Sequence, residues 1–178
     1  MNVFIRHLGK QYPDLAELIK QAHIGDIQLT GSVFVRQGNL LARLLCKLLN
    51  MPKAGESVQL VVHGSHTDHE MRWSRTFDGH VMQSCFKEHG PYLVEKMGPI
   101  SLWMQLRVAD GALEYKLIRA RFWGLPLPAF LAPKLKACEM ENSEMEKTSG
   151  YDFAVRIDLP VIGKLIEYGG ILKLSPLG

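Results

Sequence analysis

The sequence predicts a mainly β fold of the β-rich α+β kind: a strongly curved antiparallel meander, closed or nearly closed into a barrel, with two helices in the N-terminal half. Three observations predict it. From Glu56 onward apolar residues recur with period two, as in Val58, Leu60 and Val62 and then Met71, Trp73 and Phe77. Two Asp-Gly steps, Asp78-Gly79 and Asp110-Gly111, sit between such segments and specify two-residue hairpin turns. The helical patterns come before the main sheet. Roughly nine or ten strands joined by short turns must bury one face and manage their edges, and closure does both. A helix-grip α+β arrangement, with the sheet curled around a helix, is the alternative. Residues 1–178 read as one domain, with no repeat, linker or low-complexity tract.

In chain order, Pro13 to Ala22 reads as a helix: Pro and acids occupy its first turn, Leu15, Leu18, Ile19 and Ala22 form one stripe, and Gly25 stands beyond as a stop. A strand is expected over Ile27 to Arg36. Asn39 can then cap a second helix whose leucines, Leu40, Leu41, Leu44, Leu45, Leu48 and Leu49, span more than half its circumference. That distribution predicts burial on most sides, as a plug against the sheet. After the hairpins, Ile100, Leu102, Met104, Leu106 and Val108 alternate with Ser101, Trp103, Gln105 and Arg107 and lead through Asp110-Gly111 into Ala112 to Phe122. A Pro-rich apolar loop from Gly124 to Pro133 interrupts the pattern, as a rigid corner, a lid or a docking patch. Strands return around Leu135 to Met140, Tyr151 to Leu159 and Leu165 to Leu174, with an acidic stretch at Glu139 to Glu146.

Composition excludes several function classes. The chain of 178 residues is 47% hydrophobic and 22% charged, ordinary for a packed globular fold. A net charge of +3 falls short of a nucleic-acid binder's basic footprint. Cys46, Cys85 and Cys138 are odd in number and widely spaced, so neither a disulfide framework nor a cysteine zinc site is expected, and reduced thiols fit a cytoplasmic setting. The N-terminus does not read as a signal peptide, and no segment is apolar for long enough to span a bilayer.

The sharpest functional signal is Arg75, on the same strand row as Trp73 and Phe77, where the Asp78-Gly79 turn sets Met82 opposite it and His80 and Ser84 diagonal to it. A guanidinium facing a core needs a partner or a ligand. Its planar fork suits a carboxylate or phosphate, so the row predicts anion capture at the end of an apolar cavity, with Tyr115 and Arg119 as further inward candidates from the second hairpin. Glu95 is the alternative partner, closing a structural ion pair.

His63, His66 and His69, with Asp68 and Glu70, resemble a metal box, but the spacing puts His66 at a turn tip and favours a solvated turn, so no metal is assigned. Ser84 lacks a nucleophile elbow and Cys85 points to the other face, so no triad is assigned and no cofactor is expected.

Five segments in order resemble a bacterial family, domain-of-unknown-function family 4166: Gly38-Asn39-Leu40-Leu41-Ala42-Arg43-Leu44-Leu45 with Asn50-Met51-Pro52, Trp73 to Gly79, Glu95-Lys96-Met97-Gly98-Pro99, Leu125-Pro126-Leu127-Pro128, and Leu159 to Gly170. The resemblance implies bacterial origin and, since such domains occur alone or fused behind saccharopine-dehydrogenase-like reductase domains, a possible reductase neighbour. It carries no established activity. The resulting expectation is a pocket for a small amphiphilic or anionic ligand of the acyl or isoprenoid acid type, lined by Trp73, Arg75, His80, Ser84, Glu95, Tyr115 and Arg119. The alternatives are an enzyme using His80 or Glu95 as proton carrier on a carboxylate substrate, or a docking module for a reductase that uses the Pro-rich loop and Trp103.

Overall fold

The structure, a computed structural model, describes residues 1–128, 130–141 and 150–175. Ten antiparallel strands close into a barrel: β1 (Gly25–Gln37), β2 (Gly55–His66), β3 (Met71–Phe77), β4 (His80–His89), β5 (Tyr92–Met97), β6 (Ile100–Ala109), β7 (Ala112–Phe122), β9 (Lys134–Glu141), β10 (Gly150–Leu159) and β11 (Gly163–Ser175). Each pairs with the next in this order, and β11 returns to β1. The extra strand β8 (Leu125–Pro126) adds to β7 within the Pro-rich loop. Closure removes every long edge, so the mainly β reading holds and the barrel itself answers the edge problem. At the β1–β11 seam Gly31 is required, because a Cβ there would lie 2.1 Å from the Ile171 carbonyl oxygen.

Both Asp-Gly steps form the expected turns. Asp78 and Gly79 take φ of 44° and 83°, and Asp110 and Gly111 take 51° and 79°, the left-handed pair a type I′ turn demands. The register follows from the first turn: Phe77 faces His80, Arg75 faces Met82 and Trp73 faces Ser84.

One barrel end is closed by the N-terminal segment, and here the expected helix changes. The chain instead forms α1 (Val3–Leu8), a 3-10 turn over Gly9–Asp14 that contains Pro13, and the short helix α2 (Glu17–Gln21). Asn2 caps α1, its Oδ1 accepting the Ile5 N–H at 2.9 Å. Leu15 is extended, and the Ala16 N–H donates to the Gly111 carbonyl at 3.0 Å. That cross-link to the β6–β7 turn takes Leu15 and Ala16 out of the expected helix, while Val3, Phe4, Leu15 and Ile19 are buried under the barrel end.

The other end carries α3 (Leu40–Leu48), between β1 and β2. Asn39 caps it as expected, accepting the Ala42 N–H at 3.0 Å. Its burial corrects the expectation of a core plug. Only Ala42 and Cys46 are buried, whereas Leu40, Leu41, Leu44 and Leu48 are all more than half exposed. The barrel is already closed by its strands, so the helix lies over its end on small residues and turns Leu40, Leu41, Leu44 and Leu48 outward. Among the described residues no helix is long and apolar enough to cross a membrane.

Candidate functional site

The barrel lumen has two compartments. An inner chamber of about 90 Å³ is lined by Trp73, Arg75, Glu95, Tyr115, Glu139, Tyr151 and Tyr168 among apolar neighbours, with His23 at its base. Toward α3 lies an almost wholly apolar vestibule of about 360 Å³, walled by Leu45, Leu49, Ile100, Phe122, Leu127 and Leu165 among others. Met97, Leu102 and Ile157 line both and stand between them.

Arg75 projects into the chamber as strand alternation requires. Its Nη1 donates to Ser84 Oγ at 2.8 Å, its Nη2 reaches Glu95 Oε1 at 3.4 Å, and its guanidinium carbon lies 5.2 Å from the Trp73 ring centre. The side chains of Arg75 and Glu95 are 15% and 11% exposed, so this is an ion pair inside the protein, made through one long contact instead of a bidentate fork. Burial, the largest influence, pulls the Arg75 pKa down, but Glu95 together with the Tyr168 and Tyr115 phenols outweighs it and holds the group above its usual value.

Beyond Arg75 stands a second polar cluster absent from the expected site. Tyr115 donates to Glu139 Oε1 at 2.8 Å, while Glu139 Oε2 is buried without a hydrogen-bond partner among the described residues. Burial pushes the Glu139 pKa up to about 7, against the opposing pull of the Tyr115 hydroxyl and the Arg75 charge. Burial also raises the phenols of Tyr115, Tyr151 and Tyr168, which stay neutral donors.

His23 Nε2 lies 3.8 Å from Glu139 Oε1, but the two are not an ion pair. Burial lowers the His23 pKa to about 4 and its Nδ1 donates to the Ile19 carbonyl at 2.9 Å, so near pH 7 the ring is neutral. His66 behaves likewise. Its Nδ1 donates to the Gly25 carbonyl at 2.8 Å and its Nε2 accepts the Trp73 indole N–H at 3.1 Å, which fixes the neutral tautomer. Burial, helped by the neighbouring His23, lowers its pKa to about 4. The turn in this region spans Thr67–Glu70, so His66 ends β2 and points inward instead of occupying the turn tip. Among the described residues no three His, Cys, Asp or Glu side chains converge as metal ligands.

Of the residues expected at the site, the structure brings together Trp73, Arg75, Ser84, Glu95 and Tyr115 and leaves two apart. His80 sits at the vestibule end of β4, its Nε2 3.0 Å from the Asn50 carbonyl oxygen. Arg119 is on the outer surface. A β-bulge makes Trp103 face Arg119 and Met104 face Leu117, leaving Ile118 as the extra residue, so the row that carries Leu113, Tyr115 and Leu117 inward continues with Ala120. Arg119 and Arg121 instead cover Trp103, 5.0 Å and 4.7 Å from its ring centre. Trp103 is therefore 9% exposed and is not the open docking residue expected of it.

Glu139, Tyr151, Tyr168 and His23 were missed. Glu139 had a readable signal: Leu135, Ala137 and Glu139 share one period-two row, which puts a carboxylate where an apolar residue would otherwise stand. Tyr151 and Tyr168 carried none beyond ordinary core aromatics.

Comparison with the curated proteins and with the solved structures gives no match. The family described as Domain of unknown function (DUF4166) matches residues 15–172, which include nine barrel strands, most of β11 and every residue lining the chamber. The chain therefore belongs to this family of uncharacterised domains, here a closed ten-strand antiparallel barrel around a polar chamber.

Proposed function

We propose that the barrel binds a small amphiphile bearing an acid head, of the acyl or isoprenoid acid class, with the head in the inner chamber and the chain in the vestibule. The supporting observation is the pair of adjoining cavities: a cation, neutral phenols and one unpartnered carboxyl oxygen at depth, then an apolar vestibule toward α3 that shares Met97, Leu102 and Ile157 with the chamber. The chamber is well below the roughly 300 to 1,000 Å³ of ordinary ligand pockets, which suits a headgroup and not a whole ligand. Arg75 holds Glu95 by a single contact and retains a donor face for an anion. Two carboxylates beside one cation would repel that anion, and Glu139 offsets this by carrying a proton below about pH 7.

The test is calorimetric titration with a saturated carboxylic acid of about ten heavy atoms and with the alcohol of equal length. Saturable binding of the acid that weakens as pH rises through about 7, and about 30-fold loss in Arg75→Met/Glu95→Gln, is expected. Failure of both probes to bind, with no amphiphile released on extraction of the purified protein, would sink the reading.

A second reading treats the chamber as a reaction site, and one observation favours it: Glu139 is titratable near neutrality, buried in the chamber lining and unpartnered on one oxygen. Glu95 is less suited, being held by Arg75, and His80 is outside the chamber. Recovery of bound acid chemically unchanged after prolonged incubation distinguishes carriage from catalysis. A reductase partner stays a third proposal, carried by the family resemblance.

A further inference from the structure

Exposed apolar side chains are concentrated at the vestibule end. Of the fourteen exposed large hydrophobic side chains among the described residues, ten lie there, among them Leu40, Leu44 and Leu48 of α3, Trp123 at 78%, Phe130 at 67% and Val161 at 84%. On α3 the exposed leucines occupy one continuous arc, and Arg43 and Lys47, one turn apart and both exposed, flank it.

Charge is as unevenly divided. The connections at this end, residues 38–54, 78–79, 98–99, 123–133 and 160–162, hold the cations Arg43, Lys47 and Lys53 and a single acid, Asp78, whose Oδ1 already accepts the Gln59 N–H. At the opposite end the described connections carry Arg6, Lys10 and Lys20 against Asp14, Glu17, Asp68, Glu70 and Asp110. Trp123 adds a local cost. It takes φ of 47° at the first position of a left-handed turn, a conformation disfavoured for a bulky aromatic, and its neighbour Phe122 lines the vestibule.

We propose that this end of the barrel seats on an anionic lipid bilayer, with α3 lying in the interfacial plane and Trp123 and Phe130 inserted beside it. The occupant follows from the pattern. Leucines with flanking cations on a short helix, a tryptophan at a loop tip and connections almost free of acid are the features by which a protein face meets acyl chains and anionic headgroups together. The apolar rim surrounds the vestibule, so a docked barrel opens directly into the acyl layer. A ligand chain then passes between membrane and lumen without crossing water. Seating does not require the acid-binding reading, and each can fail alone.

The test uses the full chain with extruded vesicles of phosphatidylcholine, alone or with about a third phosphatidylglycerol, read by flotation and by tryptophan emission. Trp73 and Trp103 are buried, so an emission shift on vesicle addition reports Trp123. Flotation with the anionic vesicles, weakened by salt and accompanied by a blue shift, is expected. Leu40→Ser/Leu44→Ser should reduce partitioning about tenfold or more, and Arg43→Glu/Lys47→Glu should abolish the preference for phosphatidylglycerol. Trp123→Gly should lose the shift while raising the melting temperature, since glycine accepts the turn without strain. Absence of flotation, flotation unchanged by the leucine substitutions, or self-association in sedimentation that those substitutions abolish would each overturn the proposal. Vesicle binding that survives Arg75→Met/Glu95→Gln separates this inference from the ligand reading.

Discussion

Tyr115 donates to one carboxyl oxygen of Glu139 at 2.8 Å and leaves the other buried without a partner. That asymmetry makes Glu139 a stored proton in the folded state, because a neutral carboxyl costs far less to bury than a carboxylate.

The pH dependence follows with a definite sign. The folded-state pKa of Glu139 rises from 4.5 to about 7, so its contribution is fully present below 4.5 and is lost as pH climbs through 7. Glu139→Gln should therefore be more stable than the parent at pH 8, by about 3 kcal/mol. Urea denaturation at pH 5 and pH 8 checks this, and an equal difference at both would refute it.

His23 and His66 act in the opposite sense. Their folded pKa values fall from 6.5 to about 4, so their contribution is present above 6.5 and is lost as pH drops toward 4. Between about pH 4.5 and 6.5 two histidine protons oppose one glutamate proton, so stability rises with pH at about 1.4 kcal/mol per unit from these three groups. Glu139→Gln should steepen that slope toward twice the value. Protonation of His66 also removes the acceptor for the Trp73 indole, so a tryptophan emission change should accompany the acid transition.

Arg75 and Glu95 should behave as a buried pair whose members are each worse alone. Arg75→Met strands the Glu95 carboxylate and should cost about 3 to 5 kcal/mol, while Arg75→Met/Glu95→Leu should recover most of it. A double-mutant cycle by chemical denaturation measures the coupling, and additive costs would show that the 3.4 Å contact contributes nothing.

Arg119→Ala should leave amphiphile affinity unchanged and cost about 1 kcal/mol or less, because its guanidinium covers Trp103 outside the barrel. Deleting Ile118 removes the bulge but leaves plain alternation, so Leu117, Ala120 and Phe122 keep facing inward and Arg119 and Arg121 outward. That variant should keep a cooperative melt and an unchanged amphiphile affinity, and loss of folding would show that the bulge itself is needed for closure.

By itself the sequence determined the barrel and the placement of Arg75 on its inner face. Alternation and two Asp-Gly turns are local properties, and the side-chain period of two with a turn-locked register carried them to Arg75 opposite Met82, with Ser84 and Glu95 within reach. Tertiary structure decided what local pattern could not encode. The bulge at Ile118 turned Arg119 outward, since a single unpaired residue inverts every face beyond it. The Gly111 contact set where α2 begins. A barrel already closed by its own strands left Leu40, Leu41, Leu44 and Leu48 of α3 facing outward, and only closure of the sheet brought Glu139 and Tyr151, from the second half of the chain, against Arg75 from the first.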